Sequence, residues 1–209
     1  MKLVKYLKTT PATTVWSVKH KFVYMKNART AGTSMYRKVI EKEMKGEVWD
    51  TKTKKEIIQR ENWLNTVTDE ILINDYFIFT FVRNPYDRFV SAYFHRTRPE
   101  NDFANFIKNK LIDEKYGSVI DDHLYPQSWC AECDGEIYAD FIGKFENINE
   151  DWKYVANKIG VSESLPNFRQ KTPKADKPYH TYYDEETKKI IEKVYKRDFE
   201  LFGYGELML

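Results

Sequence analysis

The chain has 209 residues, enough for one domain of generous size, and its 42% hydrophobic share can fill a real core. Charged residues make up 32% yet nearly cancel to a net +2, which excludes a bulk nucleic-acid binder marked by a large basic excess. An aromatic share of 16% with only 8 glycines excludes an intrinsically disordered chain.

The opening stretch, residues 1–8, is too short and too interrupted by lysines for a secretory signal. No run approaches the roughly 18 apolar residues of a membrane span. A cytoplasmic protein with no stable membrane insertion is expected, built as a single domain over residues 1–209. Residues 1–20 form an N-terminal extension whose packing the sequence leaves open. Residues 22–25 are a continuous apolar run, the pattern of a strand buried on both faces. A helix over 34–45 follows, with Met35, Val39, Ile40 and Met44 spaced for one face. Further helices are expected over 54–65, with Ile57, Ile58 and Leu64 inward, and over 67–74.

The clearest strand is 76–82, aromatic and β-branched in both parities and so again covered on both sides. Asn84 then caps a helix that has Pro85 at its first position and runs to about Arg96. Residues 101–114 form an amphipathic helix carrying Phe103, Phe106, Ile107 and Leu111. A loop-rich stretch spans 115–135, and 138–145 is a further strand. Asn149 is expected to cap a helix over 150–159 that Gly160 closes. After a polar loop at 166–180, Asp184 begins a last helix reaching about Phe199. Strands alternating with helices point to an α/β three-layer sandwich with a parallel sheet, whose ligands bind beyond the C-terminal strand edge.

Cys130 and Cys133 are the only cysteines. One Cys-x-x-Cys cannot complete a tetrahedral zinc site alone, and here it lies in a polar loop rather than at a strand-to-helix turn. Reduced structural thiols, a disulfide and a shared metal all remain open.

Two segments carry the chemistry. Residues 22–34 run from a strand through Asn27-Ala28-Arg29-Thr30-Ala31-Gly32-Thr33-Ser34 into a helix, and residues 77–91 run through Arg83-Asn84-Pro85-Tyr86-Asp87-Arg88 to Ser91. Each places a cation and hydroxyls where helix-start amides are unpaired, a ready place for phosphate or sulfate. In the first, small residues let the backbone close around a tetrahedral anion. Gly32 supplies conformational freedom, Thr30, Thr33 and Ser34 supply hydroxyls, and Arg29 supplies a rigid fork of donors. The alternative is an ordinary strand-to-helix turn with a serine cap. In the second, Arg83 and Ser91 can converge on one anion, or Arg83 can simply pair with Asp87 while Ser91 packs. The first segment is not a Walker A loop: in Gly-x-x-x-x-Gly-Lys-Ser/Thr the cation stands just after the second glycine and just before the hydroxyl, whereas here Arg29 precedes the whole run Thr30-Ala31-Gly32-Thr33-Ser34.

Together these segments resemble the sulfotransferases that use 3′-phosphoadenosine 5′-phosphosulfate, most closely the carbohydrate-type branch called sulfotransferase family 2. The family's Pro-Lys-Thr-Ala-Gly-Thr-Ser corresponds to Ala28 through Ser34. Its Arg-Asn-Pro-Tyr-Asp-Arg-hydrophobic-Val-Ser-Ala-Tyr corresponds to Arg83 through Tyr93. Weaker similarity continues in order at His123-Leu124-Tyr125-Pro126-Gln127, at Asp140 to Asn147 and at Tyr195 to Tyr204, so that residues 22–204 are covered.

The resemblance implies a P-loop-NTPase-like sulfotransferase fold and transfer of a sulfuryl group from that nucleotide to a hydroxyl or amine. The acceptor is a carbohydrate by family likeness, and no metal is needed. Arg29, Thr30, Ala31, Gly32, Thr33 and Ser34 would hold the 5′-phosphosulfate, and Arg83 and Ser91 the 3′-phosphate. Arg29 stands where the family usually has lysine. It keeps its proton at any working pH, so it can stabilise charge but not donate a proton. Lys26 is expected at the strand end facing solvent.

The acceptor must lose a proton to a base. His123, in Asp121-Asp122-His123, matches a histidine often present there in the family and leads the candidates, with His95 second. Asp121, Asp122 and the acidic residues of 41–61 stay open. His180 either closes over the nucleotide or merely flanks a helix. Lys171 and Lys174 are candidates to reach an acidic sugar or the 3′-phosphate. Glu146 is expected to be a buried structural carboxylate paired with an arginine. A nucleotide-dependent phosphotransferase and a non-catalytic nucleotide-binding relative are the alternatives.

Overall fold

The computed structural model describes residues 3–10, 12–51, 54–96, 102–111, 123–165, 175 and 177–205. Asp121, Asp122, Lys171 and Lys174 lie outside them. The chain divides into two compact units, one of Met1–Asn27, Ala31–Val82 and Trp129–Phe168, the other of Ala28–Thr30, Arg83–Ser128 and Arg169–Leu209.

The first unit is built on a five-stranded sheet. Its strands are β1 (Thr13–Ser17), β2 (Phe22–Lys26), β3 (Trp49–Asp50), β4 (Phe77–Val82) and, after a small hairpin of β5 (Glu132–Cys133) and β6 (Glu136–Ile137), β7 (Phe141–Lys144). Their order is β3-β1-β2-β4-β7. The pairs β2–β4 and β4–β7 are parallel, as crossover connections require. Strand β1, antiparallel to β2 and β3, extends the expected parallel sheet with an antiparallel edge. The reason is local: residues 18–21 close a tight hairpin in which Lys21 turns to φ 51.

Because β2 and β4 are apolar in both parities, both sheet faces need cover. On one face Val15, Phe22, Tyr24, Phe79 and Phe81 join Met35, Tyr36, Val39 and Ile40. These lie on a continuous helical stretch, α2 (Gly32–Met35), a π-helical turn over Tyr36–Ile40 and α3 (Glu41–Glu43). On the other face Trp16, Val23, Met25 and Ile78 join Leu3 and Leu7 of α1 (Leu3–Thr9), Trp63 and Leu64 of α4 (Lys54–Leu64) and Leu72 of α5 (Asp69–Asp75). Residues 3–10 and 12–20 are thus integral, with α1 covering one face and β1 extending the sheet. Ile57 and Ile58 are exposed, and α4 instead turns Arg60, Trp63 and Leu64 inward. Thr68 caps α5, its Oγ1 accepting from the Ile71 N–H at 3.2 Å.

The helices of the second unit are α6 (Pro85–Arg96), α7 (Phe103–Leu111), α9 (Glu185–Val194) and α10 (Lys196–Phe202); between them in the chain, α8 (Ile148–Ile159) belongs to the first unit. Ile148, Trp152, Val155, Ala156 and Ile159 of α8 cover the first sheet face. Its cap position is Asn147 rather than Asn149, and Gly160, at φ 77, closes it by donating to the Ala156 carbonyl at 2.8 Å. The Asp151 carboxylate beside this start accepts from the Lys144 N–H (2.6 Å) and from Asn147 Nδ2 (2.9 Å). Glu146 is exposed, not buried as its neighbours in sequence imply. Gly143 permits close strand packing, since a Cβ there would run into the Phe81 ring. Cys130 and Cys133 are buried and not joined by a disulfide, and burial pushes the Cys133 thiol up, away from the thiolate that redox chemistry uses.

The core of the second unit is aromatic. Tyr86, Phe89, Val90 and Tyr93 of α6 meet Phe103, Phe106 and Ile107 of α7 and Tyr183, Ile191 and Tyr195 near the C-terminus. Asn84 caps α6, its Oδ1 accepting from the Tyr86 N–H at 3.0 Å. The single C-terminal helix expected over 184–199 is two helices. Tyr195 leaves helical dihedrals (φ −104, ψ 23), and its hydroxyl donates to the Leu124 carbonyl at 2.8 Å. Among the described residues no helix is long and apolar enough to cross a membrane.

Helix α9 begins with a reciprocal cap. Asp184 Oδ1 accepts from the Thr187 N–H at 2.8 Å, and Thr187 Oγ1 accepts from the Asp184 N–H at 3.0 Å. The Thr187 hydroxyl and N–H hold the Asp184 carboxyl below its ordinary value. Asp184→Ala is therefore expected to cost about 0.5–2 kcal/mol in chemical denaturation at neutral pH. A carboxyl depressed in the folded state stabilises above its unfolded value and loses that contribution as pH falls through the folded one. The difference between wild type and variant should shrink below about pH 4. A difference that grows on acidification would remove the cap as its source.

Candidate functional site

In the first unit, the site begins where β2 ends. Asn27 is buried and its Nδ2 donates to Thr80 Oγ1 and to the Phe81 carbonyl, both at 3.1 Å, while Thr80 Oγ1 donates to the Met25 carbonyl at 2.7 Å. These bonds extend the β2–β4 ladder through side chains and fix where the chain leaves the sheet. The backbone then enters the left-handed region at Arg29 (φ 67) and again at Ala31 (φ 62, ψ 12). Each such non-glycine residue costs on the order of 1–3 kcal/mol and persists only where its surroundings impose it.

Helix α2 starts directly after this turn, with no side-chain cap. Its first bonds run from the Ser34 and Met35 N–H groups to the Ala31 carbonyl, at 2.9 and 3.2 Å. The N–H groups of Ala31, Gly32 and Thr33 therefore precede the helical ladder, the arrangement that accepts an anion. Alternation of left- and right-handed residues folds such N–H groups into a concave nest. Thr33 is exposed and Ser34 half-buried; Thr30, in the second unit, is fully buried. Gly32 is required by close approach. A Cβ there would sit 2.6 and 2.8 Å from Lys26 Cγ and Cδ and 3.1 Å from the Tyr24 hydroxyl. Lys26 accordingly does not point freely into solvent: it is half-buried, with its stem across Gly32.

The second unit brings the cations together. Arg29 Nε donates to Ser91 Oγ at 3.0 Å, and Arg83 Nη1 donates to the Arg29 carbonyl at 3.2 Å. Arg83 also pairs with Asp87 one helical turn on, through Nε at 2.8 Å and Nη2 at 2.7 Å. Arg83 is thus paired with Asp87, as one of the two sequence alternatives has it, while Ser91 is bonded to Arg29 rather than merely packed. The Arg83 backbone is held on both sides by one side chain, its N–H donating to Gln127 Oε1 and its carbonyl accepting from Gln127 Nε2, each at 2.8 Å. Asp198, fully buried, accepts from the Gln127 N–H through Oδ2 and from the Ser128 N–H through Oδ1, both at 2.8 Å.

Arg88 is buried too. Its Nη1 donates to the His123 carbonyl (3.2 Å), its Nη2 to the Tyr125 carbonyl (2.7 Å), and its guanidinium lies 5.3 Å from the Tyr195 ring centroid. The guanidinium groups of Arg29, Arg83 and Arg88 thus stand with the carboxylates of Asp87 and Asp198. His123, half-buried, stacks its ring on the exposed His95 with centroids 4.8 Å apart. The two histidines singled out from sequence therefore meet. His20 lies elsewhere, paired with Glu47 at 2.7 Å, and His180 sits in a short helical turn beside Tyr179. Among the described residues no group of three or more His, Cys, Asp or Glu is placed to hold a metal.

Gln127, Asp198 and Arg88 carried no assigned role from sequence, although each lies in a segment that matches a motif. Asp198 had a usable signal: with Tyr195 and Phe202 it shares the buried face of its helix, where an unpaired carboxylate is not tolerated. Gln127 had none, because its partners lie 44 and 71 residues away.

The model of the sulfotransferase family matches residues 12–205. The chain is 25% identical to carbohydrate sulfotransferase 10 of Xenopus laevis over 175 residues, covering 64% of this chain and 49% of the relative. It is 27% identical to carbohydrate sulfotransferase 11 of Rattus norvegicus over 171 residues, covering 64% and 48%. An uncharacterised protein of Archaeoglobus fulgidus is 32% identical over 94 residues, 45% of this chain and 76% of that one. The chain spans about half the length of the carbohydrate sulfotransferases it matches. No solved structure gives a significant match. The mixed α/β sheet with helices on both faces accords with this assignment, and the chain belongs to the sulfotransferase family.

Proposed function

We propose that this chain is a sulfotransferase that moves a sulfuryl group from 3′-phosphoadenosine 5′-phosphosulfate to a hydroxyl or amine acceptor, with a carbohydrate as the preferred class. The observation that carries the reading is the convergence of Arg83, Arg29 and Ser91, with Arg29 continuing along the chain into the uncapped helix start at Gly32. The residues present fit an anionic nucleotide: the guanidinium groups of Arg29 and Arg83, and the helix-start amides that precede the ladder of α2. The names of the relatives support the carbohydrate acceptor. The family assignment and the turn geometry support a P-loop-like nucleotide site.

The donor supplies an activated sulfuryl group, and adenosine 3′,5′-bisphosphate is left when its sulfur–oxygen bond to phosphate breaks. The chain does the rest. Amides of Ala31, Gly32 and Thr33, with the hydroxyls of Thr33 and Ser34, hold the 5′ end. The Arg29 guanidinium steadies charge developing on the departing phosphate oxygen and stays protonated throughout. Arg83 and Ser91 hold the 3′-phosphate. His123 takes the acceptor proton as the new sulfur–oxygen bond forms, and His95, stacked on it, limits where its ring can turn. The site uses no metal in this scheme.

Labelled sulfate should pass from the nucleotide donor to at least one member of a glycan panel. A protein that binds ATP in preference to the bisphosphate would be a phosphotransferase instead. Arg83→Ala should weaken binding of adenosine 3′,5′-bisphosphate by about 1.5–3 kcal/mol in calorimetry, the scale of hydrogen bonds to a charged group. Unchanged affinity would remove the 3′-phosphate from Arg83. His123→Ala should lower turnover by about 10²–10⁴-fold while leaving bisphosphate affinity intact. Wild-type turnover in that variant would take His123 out of the mechanism.

A further inference from the structure

We infer that Gln127 and Asp198 are positioning residues that preset Arg83 for the ribose 3′-phosphate without touching the nucleotide. The inference rests on the proposed role of Arg83. Arg83 directly follows the last residue of β4 in the chain, where the strand ladder no longer fixes its peptide. Gln127 supplies what the ladder would have supplied. Its side-chain amide is a planar donor–acceptor pair, and it satisfies the Arg83 N–H and carbonyl together at 2.8 Å each. The peptide carrying the guanidinium is thus fixed from one side, while Asp87 and the Arg29 carbonyl fix the guanidinium itself. An arginine held this way meets a phosphate without first losing rotamer freedom.

Gln127 can do this only if its own backbone is fixed, and Asp198 does that. The two carboxylate oxygens divide the work, Oδ2 for the Gln127 N–H and Oδ1 for the Ser128 N–H. Those two amides open the short helical turn Gln127–Cys130 and would otherwise be buried without an acceptor. A carboxylate is needed here rather than an amide. Asparagine offers one acceptor, and its NH₂ would face one of the two N–H groups donor to donor. Burial pushes the Asp198 carboxyl up, and the Arg88 charge with the Gln127 and Ser128 N–H groups opposes the rise.

The test compares adenosine 3′,5′-bisphosphate with adenosine 5′-phosphate by calorimetry on wild type, Asp198→Asn and Gln127→Glu. The glutamate keeps shape and sets an oxygen against the Arg83 carbonyl, so it breaks the lock without disturbing Asp198. The wild type should prefer the bisphosphate, and both variants should lose at least about tenfold of that preference. Affinity for the monophosphate should stay within about twofold. A purely structural role would lower both affinities in parallel, and that result overturns the inference. Variants that keep the full preference overturn it as well, with the proposed role of Arg83 left standing. A wild type that binds the two nucleotides equally overturns the role of Arg83, and this inference with it.

Discussion

Two buried guanidinium groups constrain everything around them. Arg83 and Arg88 are 3% and 2% exposed, and a buried cation without partners would cost several kcal/mol. Each is therefore surrounded by acceptors drawn from distant segments. Arg83 takes Asp87 from the first turn of α6 and the carbonyl of Arg29 from a turn 54 residues earlier. Arg88 takes the carbonyls of His123 and Tyr125 and leans on the Tyr195 ring. Satisfying these charges ties residues 28–30, 83–91, 123–128 and 195–198 to one another within the second unit. The segment bearing His123 is held by the same arginine helix that carries Ser91, so the candidate base and the candidate phosphate ligands share one frame.

The first unit meets a different constraint. Its central strands are apolar on both parities, so helices must cover both faces, and only the strand ends are left to do chemistry. Asn27 and Thr80 carry the β2–β4 pairing past Met25 with side-chain bonds, which brings the chain into the left-handed turn at Arg29 and Ala31 at a defined point. Two non-glycine residues in that region are a cost to folding that a mere connector would avoid by using glycine. The glycine that is present, Gly32, is placed instead where Lys26 leaves no room for a side chain.

An arginine at position 29 fits this setting. A lysine there would offer a mobile point charge, whereas Arg29 divides its functions: its Nε engages Ser91, and its carbonyl receives Arg83. The position thus joins the two motifs, a role that depends on a backbone carbonyl and on a guanidinium edge together. Proton donation is not available from it, which places proton handling on the histidine pair in the proposed mechanism.

Local pattern carried far in this chain. The strands at 22–26 and 77–82, the Asn84–Pro85 helix start, the Gly160 stop and the Asp184 cap all follow from short-range rules, because their determinants are neighbours in sequence. The inward turn of α4 away from Ile57 and Ile58, the break at Tyr195 and the exposure of Glu146 do not, because each is decided by what packs against it. The same division runs through the site. Sequence alone determined which residue types bear charge and hydroxyls, and that two strand-to-helix turns present them. Only the tertiary structure decided that Arg29 meets Ser91, that His95 meets His123, and that Gln127 and Asp198 stand behind Arg83. Those meetings depend on burying charge with its partners, and a buried charge takes its partners from wherever the fold brings them, at separations no local pattern records.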